Sequence, residues 1–202
     1  MKIIKIANDI DSIAKSRGYN VGPVFHGRAQ QFNAFENQES IREFSKHTSP
    51  SFFFTESPDV ATAFGIDRSI QLKNPRIENM EVYISLHNPI DLTKKTSELI
   101  DVLVDIGENR EDLEELGTNF YWQIADDEIF VQKLIEKGHD GAICDEIDAI
   151  KHFKIKHAIG ALTYAVFSPS QIKLADTITY DDNGKEIPIN QRFDANNADI
   201  RY

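Results

Sequence analysis

The 202-residue chain reads as an α+β fold built on a split antiparallel sheet, and three features of the sequence predict it. Short apolar runs of strand length stand at 51–55, 80–86, 141–144 and 162–167. Irregular polar stretches separate them, so the β-α-β rhythm of a parallel sheet is missing. The helical periodicity is massed instead in one charged stretch from Thr96 to Lys137.

Taken in order, Ile10, Ile13 and Ala14 fall at helical spacing behind Asp9 or Asp11, which reads as a short N-terminal helix capped there. Gly18 and Gly22-Pro23 break that pattern, and Val24-Phe25-His26-Gly27 follows as a strand stopped by glycine. The polar residues 28–50 read as a long loop with a helical turn. Ser51 to Thr55 is a strand, and Ser57-Pro58-Asp59 behind it starts a helix: serine caps, proline suits the first helical position, and aspartate favours the positive end of the dipole. Gly65 is expected to stop that helix. Met80 to Leu86 alternates like a half-buried strand and ends at Asn88-Pro89. Within 96–137 the breaks fall near Gly107 and Gly117. Asp126 or Asp127 caps the last helix, with the stripe Ile129, Phe130, Leu134 and Ile135, and Gly138 ends it. Strands at 141–144 and 162–167 bracket an irregular stretch, and a polar tail carries the turn Asp181-Asp182-Asn183-Gly184. We expect a single domain over 1–202, with a helical insertion at 91–128 and a C-terminal tail at 177–202.

Composition narrows the function. A net charge of −11 disfavours a phosphate backbone as a scaffold, although a nucleic-acid end or loop could still be a substrate. Cys144 is the only cysteine, so neither an intrachain disulfide nor a cysteine zinc cage is possible. His152 and His157, near His139 and Asp145, stand five apart, which matches no compact helical ligand pair, and no metal is expected. With no apolar run long enough for a signal peptide or a membrane span, the expectation is a soluble cytoplasmic protein, unless an unusual secretion system or a larger parent chain carries it.

Three segments carry a resemblance: Phe25-His26-Gly27; Phe52-Phe53-Phe54-Thr55 with Ser57 to Gly65; and Thr163 to Lys173. In this order they resemble the NAD-binding strands of the ADP-ribosyltransferase superfamily, in its histidine–tyrosine–glutamate branch. Leu86-His87-Asn88-Pro89, Gly138-His139-Asp140-Gly141 and the terminal Phe193-Asp194-Ala195-Asn196-Asn197-Ala198-Asp199-Ile200-Arg201-Tyr202 are similar to recurrent segments of a narrower group, the ADP-ribosyltransferase domains of phage and mobile-element polyvalent proteins and related toxins.

The resemblance implies NAD as co-substrate and mono-ADP-ribosyl transfer to a macromolecular acceptor, protein rather than nucleic acid. It assigns the adenosine ribose to His26, the nicotinamide carboxamide to the backbone of Gly27, the pyrophosphate to Arg28 and ring stacking to Phe53 and Phe64. His26, Phe53 and Thr163 would be the catalytic positions, with His26 and Thr163 on adjacent central strands. Phe53 stands where the family usually has tyrosine, keeping the π face and losing the hydroxyl. Thr163 stands where active polymerase-like members carry glutamate, so it can hydrogen-bond but supplies no charge. Asp145 or Glu146 could provide a carboxylate instead, or could form a solvated acidic turn. Hydrolysis of NAD on the same fold, or a catalytically inactive interaction module, are the competing functions. Alternation places Phe53 on the face opposite Phe52 and Phe54, and Gln171 and Lys173 are read at a strand end, against loop or solvent.

Overall fold

The computed structural model describes residues 2–36, 49–115, 124–145 and 147–202. Its centre is a seven-stranded sheet made of β1 (Val21–Arg28), β2 (Phe52–Thr55), β3 (Glu78–Ile84), β4 (Pro89–Asp91), β5 (Gly141–Asp145), β6 (Leu162–Val166) and β7 (Ile172–Leu174). The spatial order is β4-β5-β6-β2-β1-β3-β7. Every pairing is antiparallel except β4 with β5, which is parallel. β4 went unread in the sequence because Asn88-Pro89 looks like a terminator. Proline opens a strand without penalty when its missing N–H is not needed, and here it stands first in an edge strand.

Register sorts the side chains onto two faces. Phe52, Phe54, Tyr164, Val166, Val24, Val82 and Ile84 share one apolar cluster with Phe35 and Ile200. On the opposite face Ala142, Cys144, Ala165 and Phe53 pack with α3 (Ser97–Asp105) and α5 (Glu128–Glu136). α1 (Lys2–Ser16) lays Ile10 and Ala14 in a cluster with Tyr83. Its first turn lies well before the Asp9 and Asp11 caps expected from the sequence.

The separation of Phe53 from Phe52 and Phe54 follows the two-residue alternation of a strand. α3 buries Leu99, Ile100, Val102 and Leu103, so the stretch read as an insertion supplies much of one core. α4 (Arg110–Glu115) follows Gly107, and the expected break at Gly117 lies outside the described residues. In α5, capped by Asp127 Oδ1 accepting from Phe130 N at 2.9 Å, the buried residues are Phe130, Val131 and Leu134. Ile129 and Ile135 point outward, correcting the expected stripe.

The main correction concerns the helix after Ser57. α2 (Pro58–Leu72) has the expected cap, with Ser57 Oγ accepting from Val60 N at 3.3 Å, but it runs straight through Gly65. It stops at Lys73, whose φ of 52° is left-handed. Gly65 is not a terminator; it is a contact. A Cβ on Gly27 would lie 1.8 Å from the Ala61 carbonyl oxygen and 2.8 Å from Gly65 N, so the helix backbone sits directly on β1. Gly27 itself lies inside the strand rather than ending it.

The family-like segments around Asn88 and Asp140 form a clasp. Asp140 accepts from His87 N (2.6 Å) and Asn88 N (2.9 Å), Asn88 donates to Gly138 O (3.0 Å), and Gln171 Nε2 donates to Ser85 O and Asp140 O (both 2.8 Å). Gln171 therefore ties β7's approach to two turns. Of the loop or solvent expected beside Lys173, the structure has loop: the residue is only 1% exposed and donates to Asn197 O and Asp199 O.

Candidate active site

β1 and β2 share a single register pair, Phe25 with Thr55, and part beyond it. A cleft of about 920 Å³ opens there. It is lined by His26, Gly27 and Arg28 from β1, Phe53 and Thr55 from β2, Phe64 and Arg68 from α2, and Thr163 from β6. Every residue to which the resemblance gave a role in holding the dinucleotide thus borders one cavity. The detail differs, because β2 stands between the strands of His26 and Thr163 rather than leaving them adjacent.

His26 falls on the face of Phe54, its ring 5.6 Å from that ring and edge-on to Phe35 at 5.0 Å. Its Nδ1 lies 3.0 Å from Phe53 O. A carbonyl can only accept, so Nδ1 carries the proton and, in the neutral ring, Nε2 is the acceptor. Burial lowers the His26 pKa below its usual value, and the Arg28 charge adds to this, while the bond to Phe53 opposes it. The surroundings consequently favour the neutral ring. One imidazole thereby bridges the gap between two diverging strands and keeps an acceptor nitrogen.

Arg28 is not a loose cation. Its guanidinium donates to Glu78 Oε2 (Nη2 at 3.0 Å, Nε at 3.2 Å) and lies 5.5 Å over the Phe32 ring. Phe64 is 43% exposed and meets Phe153 edge-on at 5.3 Å. Thr163 is 3% exposed, between Thr55 and Cys144 in register. Asp145 lines the cleft, its carboxylate accepting from Ile147 N at 3.3 Å at the start of α6 (Ile147–His152), so it is a turn anchor as well as a wall. Glu146 lies outside the described residues. Among the described residues no group of three His, Cys, Asp or Glu side chains is arranged to hold a metal, and no helix is long and apolar enough to cross a membrane.

Several wall residues escaped the sequence reading. Ala61, Arg68 and Leu72 line the cleft from the same stripe of α2 as the expected Phe64, at helical spacing. Arg68 is one turn beyond Phe64 and was legible once the helix was allowed through Gly65. Phe153 is 89 positions from Phe64, and no local pattern links them. Phe32, Phe35 and Asp126 come from segments without periodicity.

A seven-stranded sheet with a partly buried histidine and aromatics around an open cavity defines an α+β fold with a pocket of ligand size. The family model for ADP-ribosyltransferase in polyvalent proteins matches residues 21–181, which is 161 of the 202 positions. The chain belongs to this family of ADP-ribosyltransferase domains. No match was found among curated proteins or among solved structures.

Proposed function

We propose that the chain is a mono-ADP-ribosyltransferase that takes NAD into the β1/β2 cleft and transfers ADP-ribose to a protein acceptor, acting as a phage or mobile-element effector inside a bacterial cell. The observation that carries this reading is the convergence of His26, Gly27, Phe53, Phe64 and Thr163 on one cavity of about 920 Å³, near the upper end of ordinary ligand pockets and so suited to a dinucleotide.

In this reading Phe53 and Phe64 hold the nicotinamide ring by its faces, and the Gly27 backbone meets its carboxamide. His26 Nε2 accepts from a ribose hydroxyl, a role that needs the neutral ring its surroundings favour. The bond from C1′ of the ribose to the nicotinamide nitrogen breaks, nicotinamide leaves with the electron pair, and the ribose becomes oxocarbenium-like. The acceptor's nucleophile attacks C1′ and gives up its proton to water in the open cleft. Thr163 supplies no charge to this transition state, so the acceptor's own acid, or Asp145 at the cleft wall, takes that part. With −11 net charge, a protein acceptor suits the chain better than a polyanion.

Incubation with NAD labelled in its adenosine half and with a bacterial lysate tests the proposal. Label on protein is expected. Free ADP-ribose and nicotinamide without labelled macromolecule would make the chain an NAD hydrolase. No consumption of NAD would leave an inactive module and refute the proposal.

A further inference from the structure

The last ten residues, Phe193 to Tyr202, lie beyond the span matched by the family model, and no step above uses them. They nevertheless reach the wall of the cleft. Phe193 is 2% exposed, with its ring 5.6 Å from Tyr19 and 6.1 Å from Tyr83, which anchors the start of the segment. Lys173 of β7 donates through Nζ to Asn197 O at 2.6 Å and Asp199 O at 2.9 Å, so the segment wraps a buried amine. Beyond it Arg201 pairs with Asp199 and Asp182, each at 2.7 Å.

Ile200 is the junction. Its carbonyl accepts from Leu174 N and its N–H donates to Asn33 O, both at 2.8 Å, while Asp199 bridges Ala34. Its side chain is 1% exposed and shares the cluster of Phe35, Phe52 and Phe54. On the other side of the loop 29–36, Phe35 lies edge-on to His26 at 5.0 Å and Phe32 packs on Phe35 at 4.7 Å. A continuous chain of contacts therefore runs from β7 through Ile200 and the loop to the histidine.

We infer that Lys173, Asp199 and Ile200 are positioning residues, which clamp the loop carrying Phe32 and Phe35 against His26 and so set nucleotide affinity without touching the ligand. This rests on the reading of the cleft as an NAD site. If docking of the segment favours NAD, NAD must favour docking of the segment by the same factor, because coupling between two sites is reciprocal. The affected hydrogen bonds are few, so a factor of roughly tenfold is expected.

Two measurements on the full-length chain test this. NAD affinity is compared between the parent and Ile200→Pro, which removes the N–H that reaches Asn33; and amide exchange at Ile200 in the parent is followed with and without NAD. The inference expects roughly tenfold weaker NAD binding in the folded variant, and exchange slowed by a similar factor in the parent. Should Ile200→Pro fail to fold, the exchange measurement on the parent decides alone. Protection by NAD at Gly27 and Phe53 with no change at Ile200 overturns the clamp while leaving the NAD site standing. A parent that binds no NAD overturns the underlying reading and the clamp with it.

Discussion

Gly27→Ala is the perturbation with the clearest expected result. The added methyl would lie 1.8 Å from Ala61 O, 2.7 Å from Ala61 C and 2.8 Å from Gly65 N, all backbone atoms of a helix packed on the strand. Ordinary contact begins near 3.4 Å, so α2 must retreat by about 1.6 Å (3.4 − 1.8), and no side-chain rotation can relieve the clash. Overpacking of this kind costs about 1–3 kcal/mol, and the rigid partners place this site at the upper end, near ~3 kcal/mol. The displacement also carries Phe64 and Arg68, which line the cleft from the same helix. Urea unfolding gives the stability loss and NAD titration gives the functional one. Gly141→Ala provides the comparison, since its Cβ would meet Ala165 O at 2.3 Å yet Gly141 does not line the cleft. Both variants should lose stability, and only Gly27→Ala should also lose NAD affinity in the folded protein. A Gly27→Ala protein with parental stability would refute the helix-on-strand contact; equal loss of NAD affinity in both would refute its connection to the cleft.

Phe64→Ala should weaken NAD binding by roughly 1–3 kcal/mol, the usual worth of aromatic stacking, with little change in unfolding midpoint because the ring is 43% exposed; unchanged affinity in a titration would remove Phe64 from the site. In the proposed mechanism Thr163→Glu would place a carboxylate where transition-state charge develops, and nicotinamide release should rise by on the order of 10²–10³ if that charge is ionised and in position. Release no faster at unchanged NAD affinity would show that position 163 does not reach the reacting carbon. Burial holds the folded pKa of His26 below the ordinary imidazole value of about 6.5, so the unfolded chain takes up its proton first as pH falls. Its contribution to stability is complete above 6.5 and is lost as pH drops below that value, so the parent should lose stability between pH 7 and 5 more steeply than His26→Gln; parallel urea midpoints for the two would contradict the buried neutral ring.

Strands were legible where alternation or an unbroken apolar run was strong, as at 52–55 and 141–145. Helix starts were legible where a cap has chemistry of its own, as at Ser57 and Asp127. Gly65 misled because glycine ends helices and also permits close packing, and only the partner backbone at Gly27 decides between the two. Lys173 was legible only in part: a lysine at a strand end reads as meeting loop or solvent, and only the two carbonyls that receive it, 24 and 26 positions away, decide for loop. In the site, the residues found from sequence are those on strands and on the first turns of α2. Phe32, Phe35 and Phe153 sit on irregular backbone, where position follows from tertiary contact rather than from period.

Ile200 has a consequence for how the molecule behaves in company. β7 is an outer strand of the sheet, and its Leu174 N–H is taken by Ile200 O instead of facing outward. At the opposite border β4 is three residues long and begins with a proline that has no N–H to offer. Unprotected borders of this kind are where sheets of separate molecules join and aggregate. A second molecule seeking to add a strand beside β7 would first have to displace the segment around Ile200, which already takes the Leu174 N–H.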